Sequence, residues 1–133
     1  MNNIFSGNKN KAGFTLVELL LVIAIIGILA SVIFLNMGSM RQRAKAVAAL
    51  ENQKGVMGIA VDCYLHNKNI TPPGSGSLGG GSICEDGTTP WPEIDRSCQY
   101  AGGTVNGWTV DCSEGRYVIN CDATTGGCKC EGC

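Results

Sequence analysis

The sequence predicts an α+β chain in which a long N-terminal membrane-spanning helix packs on a small, disulfide-rich antiparallel β head. Three observations lead there. The stretch from Phe14 to Leu35 is almost wholly apolar. Helical periodicity continues past it to about Asn67. All eight cysteines lie at or after Cys63, in a glycine-rich half that also holds short alternating apolar runs. At 133 residues the chain has room for one domain plus appendages.

The first element is the membrane segment, 14–35. From Leu19 to Leu35 only Ser31 is polar, and Gly27 is the one helix-weak residue. With Phe14–Val17 added, about 20 residues are available, enough to cross a bilayer as a helix. The run is longer than the apolar core of a secretory signal peptide, and no A-x-A site closely follows it, since Ile28 stands two residues before Ala30. Glu18 sits near its start. A carboxylate there costs about 2–3 kcal/mol if driven to the bilayer centre, so a partner is expected. Cutting after Gly13 would supply one, the free α-amine of Phe14, four residues and about one helical turn away. Between subunits the same attraction would favour docking in one axial register.

Gly13-Phe14-Thr15-Leu16-Val17-Glu18, followed by Leu-Leu-Leu-Val-Ile-Ala-Ile-Ile-Gly-Ile-Leu-Ala, resembles the cleavage and methylation signal of type IV prepilins and type II secretion pseudopilins. The resemblance spans Lys11 to Leu35, about a fifth of the chain. It implies a pilin-like α+β fold and a leader, 1–13, removed by prepilin peptidase. It further implies N-methylation of Phe14 and a role for Glu18 as the assembly carboxylate. The implied partners are that peptidase, a membrane assembly platform, and identical or related pilin subunits in a filament. Two departures stand out: no proline lies near Leu35, where many members have one, and Ala12 replaces the basic residue that often precedes the glycine. Lys9 and Lys11 nevertheless keep the leader basic.

Charge flanking the span gives a mixed topology signal. Arg41, Arg43 and Lys45 follow it, while Lys9, Lys11 and the amino terminus precede it. From Asn69 onward eight acids face three bases, a net −5. That acidic, cysteine-dense half reads as extracytoplasmic. The expectation is a single pass through the inner or plasma membrane with the head outside, followed by an extracellular or periplasmic filament.

The segment 36–71 continues as an amphipathic helix into the head. Val47, Leu50, Met57, Val61, Tyr64 and Leu65 form one broad face, with Val56, Ile59 and Cys63 on another side. Thr71-Pro72-Pro73 is expected to end it. The segment 72–82, nearly all Gly and Ser after the prolines, reads as a flexible connector; with no lysine after its glycines it is no phosphate loop. The head, 83–133, offers a hairpin of Trp108–Cys112 and Arg116–Cys121 around Ser113-Glu114-Gly115. Trp108, Val110, Tyr117 and Ile119 are its expected buried residues, and a weaker strand covers Gln99–Val105.

Cys63, Cys84, Cys98, Cys112, Cys121, Cys128, Cys130 and Cys133 are candidates for four disulfides, which would compensate for a small core. Of the 105 possible pairings, Cys63 with Cys84 is the expected closure of the connector, with Cys98 or Cys112 tied to the hairpin region. Cys130-Glu-Gly-Cys133 also admits a thiolate metal site, and the loop beginning Asp122-Ala-Thr-Thr-Gly offers oxygens to calcium. Neither spacing is specific, so no metal and no cofactor is assigned.

The function expected is therefore structural, a filament subunit of a pilus or pseudopilus. The alternative is a minor pilin acting as a tip adhesin or uptake module, with Trp91 between two prolines as its adhesive side chain. An acidic head speaks against nucleic acid. A lone histidine, His66, and the lack of paired carboxylates or nucleophile–base spacing speak against an enzyme.

Overall fold

The computed structural model describes residues 13–133. The chain divides into two compact units, one ending at Met37 and the other running Gly38–Cys133. One helix, α1 (Leu16–Leu65), crosses that boundary. Four strands follow, β1 (Cys98–Thr104), β2 (Gly107–Cys112), β3 (Tyr117–Asp122) and β4 (Gly127–Glu131), in an antiparallel sheet of order β1-β2-β3-β4. The architecture is the expected pilin-like α+β: an apolar N-terminal helix, its continuation in the head, and a small sheet with disulfides.

In the first unit, Leu16–Leu35 forms a 20-residue apolar helix with none of its residues buried. Ser31 satisfies its hydroxyl by donating to the Ile28 carbonyl at 2.7 Å, as a polar group in lipid must.

In the second unit, the buried face of α1 is not the one expected from its large apolar residues. Ala46, Ala49, Gln53, Val56, Ala60 and Cys63 are buried at alternating spacings of three and four, with Met57 beside them. Val47, Ile59, Tyr64 and Leu65 are exposed, and Leu50 and Val61 are only partly covered. The physical reason lies opposite: Trp91, Tyr100 and Trp108 are buried in the same core, and alanines on the helix leave room for rings that bulky. Trp91 packs edge-on to both Tyr100 and Trp108, with ring centroids 5.6 and 5.0 Å away.

The helix ends before the prolines. Asn67 adopts a left-handed conformation (φ 54°). Its N–H donates to Tyr64 O at 3.1 Å, and Lys68 N–H to Cys63 O at 2.9 Å, which together make a Schellman cap. Asparagine thus stops α1 four residues ahead of Thr71.

The Gly/Ser stretch is built into the head rather than left as a flexible connector. Gly76 N–H donates to Tyr100 O and Tyr100 N–H to Ser77 O, both at 2.8 Å. Gly80 N–H reaches Trp91 O and Trp91 N–H reaches Gly81 O. Glycine is required at position 79, where φ is +142° and an added Cβ would stand 2.6 Å from Pro92 O.

β2 and β3 form the expected hairpin, with Trp108, Val110, Tyr117 and Ile119 all buried. The turn holds Ser113, Glu114 and Gly115 at positive φ and is fastened by Gly115 N–H donating to Asp111 Oδ1 at 2.7 Å. β1 pairs with β2 through a bulge between Tyr100 and Gly102. β4 is the element without a counterpart in the sequence reading.

At the centre of this core sits one fully buried polar side chain, Gln53. Its Oε1 accepts from Trp108 Nε1 at 2.7 Å, and its Nε2 donates to the Tyr100 hydroxyl at 3.1 Å. That hydroxyl donates onward to Pro92 O at 3.1 Å. Burial pushes the Tyr100 phenol above its usual pKa, with the Gln53 bond acting the other way.

Candidate processing and assembly site

The residues singled out for processing lie where α1 begins. Gly13 is in non-helical backbone with no atom within 4 Å of a would-be Cβ, and Phe14 is 88% exposed. The Gly13–Phe14 peptide bond is accordingly open backbone on the described side. Lys9, Lys11, Ala12 and the rest of the expected leader lie outside the described residues.

Helix initiation at this point is a capping box. Thr15 is the N-cap: its Oγ1 accepts the Glu18 N–H at 3.2 Å. Reciprocally, Glu18 Oε2 accepts the Thr15 N–H at 2.9 Å and its hydroxyl at 2.8 Å. The carboxylate also faces the positive end of the helix dipole. Glu18 is therefore not the partnerless charge that its place in an apolar run suggests. Among the described residues no cation pairs with it, and both bonds from Thr15 fall on Oε2, leaving Oε1 open. The Thr-x-x-Glu spacing ahead of the apolar run is the sequence signal for this cap.

The eight cysteines form four disulfides: Cys63–Cys84, Cys98–Cys112, Cys121–Cys128 and Cys130–Cys133. Cys98 and Cys112 stand opposite each other on β1 and β2, and their bond ties Cys98 to the hairpin strand β2. Cys121 and Cys128 are likewise opposite on β3 and β4. The CxxC sulfurs are bonded together and present no thiolate pair. In the β3–β4 turn, Asp122 Oδ1 accepts from the Thr124 N–H at 2.7 Å and its hydroxyl at 2.6 Å, and these bonds hold the carboxyl below its usual pKa. That oxygen is engaged in closing the turn.

Residues 8–34 match the prokaryotic N-terminal methylation motif, the prepilin-type cleavage and methylation signal. The match takes in Gly13, Phe14, the capping box and nearly all of the exposed apolar helix. The motif supports a type IV pilin- or pseudopilin-type precursor, which implies processing by prepilin peptidase, membrane anchoring and assembly with pilin subunits. No curated protein and no solved structure matches the chain.

Proposed function

We propose that this chain is a structural subunit of a type IV pilus or a type II secretion pseudopilus, cut between Gly13 and Phe14 and methylated on the new amine. The observation that carries the reading is the helix Leu16–Leu35: without a buried residue, apolar but for Ser31 and one carboxylate at its cap, and overlapping the methylation motif. An apolar face of this length needs lipid or other helices around it.

Cleavage changes the electrostatics of the cap. The bond broken lies one residue before Thr15, so the α-amine of Phe14 appears beside the capping box. Glu18 Oε2 stays with Thr15, and Oε1 is the acceptor available to the amine of a neighbouring subunit. In a bundle of apolar helices that attraction selects axial register. The subunit waits as a single-pass inner- or plasma-membrane protein, head outside, and is transferred by the assembly platform to the filament.

The adhesin reading gains nothing from the head, because Trp91 is 2% exposed and donates its Nε1–H to Thr71 O at 2.8 Å. The test is intact-mass and N-terminal analysis of protein extracted from membranes of cells with active prepilin peptidase. A chain starting at methylated Phe14 is expected; one starting at Met1 refutes the proposal. Glu18→Ala is expected to be processed normally yet absent from sheared filaments.

A further inference from the structure

Close to the start of the second unit, α1 and the β2–β3 turn enclose a groove of about 620 Å³ walled by four cations, Arg41, Lys45, Arg96 and Arg116. Two carboxylates share that wall, Glu114 and Asp111, the latter accepting the Gly115 N–H, and beside the groove Asp95 accepts from Ser97 and pairs with Lys45 at 3.1 Å. Arg116 donates to the neutral Gln42 Oε1 at 2.7 Å, so its charge is unmatched. Arg41 and Arg96 make no hydrogen bond or ion pair among the described residues. The groove thus holds surplus guanidinium donors, whose planar forks suit phosphate oxygens.

The chain's covalent path says where such phosphate lies. Arg41 is six residues after Leu35, the last residue of the apolar span, and six residues reach at most about 20 Å whatever their conformation. The groove is tethered within reach of the bilayer surface, where cations next to a span gain about fivefold each in attraction to anionic lipid. We infer that this groove binds the phosphate of an anionic phospholipid headgroup and holds the head at the leaflet before the subunit is extracted. This inference rests on the membrane-anchored form and not on which filament the chain builds. It also gives Arg41 and Lys45 a reason to follow the span on the outer side.

The experiment uses the mature full-length chain, one copy per nanodisc, in phosphatidylcholine alone or mixed with phosphatidylglycerol. Hydrogen exchange at 95–99 and 113–116 and native mass spectrometry of retained lipid are the readouts. Phosphatidylglycerol is expected to slow exchange there and to be retained preferentially. Arg41→Gln with Arg96→Gln should cut that preference about 25-fold, while Lys68→Gln with Lys129→Gln, an equal charge loss outside the groove, leaves it unchanged. Absence of thiol labelling verifies that each variant keeps its four disulfides. Equal protection in both lipids overturns the inference. So does protection by inorganic phosphate in phosphatidylcholine discs, which marks a free-anion site, or protection only in discs holding two copies, which marks a subunit interface. These outcomes are independent of the N-terminal analysis above.

Discussion

Replacing Gln53 by leucine isolates the buried polar network that joins the helix to the sheet. Leucine is close enough in size that neither a large cavity nor overpacking follows. The Tyr100 hydroxyl keeps its bond to Pro92 O, so its loss is a single net hydrogen bond, about 0.5–1.5 kcal/mol. Trp108 fares worse. It is 2% exposed, and its N–H, which donates to Gln53 Oε1, is left without an acceptor at a cost of about 1–3 kcal/mol. Added apolar burial offsets part of this, and the expected net destabilisation is about 2 kcal/mol. For a head of this size, that lowers Tm by about 8–16 °C. The assay is thermal and urea unfolding of the detergent-solubilised mature chain with disulfides intact, followed by near-UV circular dichroism. A cycle with Trp108→Phe, which removes the donor, should show coupling of about 1–2 kcal/mol. The Tyr100 phenol, freed of the Gln53 bond that lowers its pKa, should titrate still higher in Gln53→Leu. A Gln53→Leu protein within about 0.5 kcal/mol of the parent, or strict additivity in the cycle, refutes the reasoning.

The disulfides should differ in worth by the loops they close. Removing Cys63–Cys84, whose members are 21 residues apart, should cost about 3 kcal/mol, and removing Cys130–Cys133, three apart, about 2, by paired Cys→Ser variants in urea titration. Acid unfolding should be steepest from about pH 4 down to about 2. Asp95 is brought down to about 2 by its bonds from the Ser97 hydroxyl and N–H and by Lys45, and Asp122 is lowered in the same direction. A depressed folded pKa means a contribution fully present above the ordinary carboxylate range and lost as pH falls through the folded value. Asp95→Asn should flatten that slope in a pH series of melting curves. Gly79→Ala, which combines a left-handed backbone with a clash against Pro92 O, should lose about 1–3 kcal/mol, where Gly74→Ala, in open space, loses little.

What could be read in the sequence was what depends on local order. The β2–β3 hairpin follows from strict alternation around Ser113-Glu114-Gly115, and the span from uninterrupted apolarity. The inward face of α1 in the head is not legible from hydrophobicity, because its stripe is Ala46, Ala49, Gln53, Val56 and Ala60, mostly small or polar side chains, while the larger Val47, Tyr64 and Leu65 stay outside. Which face turns inward was decided by Trp91, Tyr100 and Trp108, residues 31 or more positions further along the chain. Likewise the Gly/Ser stretch looks like a connector because its order comes from backbone hydrogen bonds to Trp91 and Tyr100, and glycine and serine carry no side-chain sign of them. β4 holds Cys128 and Cys130, so its composition pointed to staples before it pointed to a strand.

Glu18 is where the two kinds of information meet. Apolar surroundings alone make it a charge in need of a cation, and cleavage after Gly13 is then the event that supplies one. The capping box adds that the carboxylate is already useful before cleavage: it starts the helix and occupies one oxygen with Thr15. An uncleaved subunit can therefore rest in the membrane with Glu18 near the interface and its cost contained. In the proposed cleaved form the same side chain would still have Oε1 to offer, and taking a neighbour's amine would not require giving up the cap. Under the proposed function, storage and assembly use different atoms of one carboxylate, and a subunit entering the filament would not have to unwind its first turn.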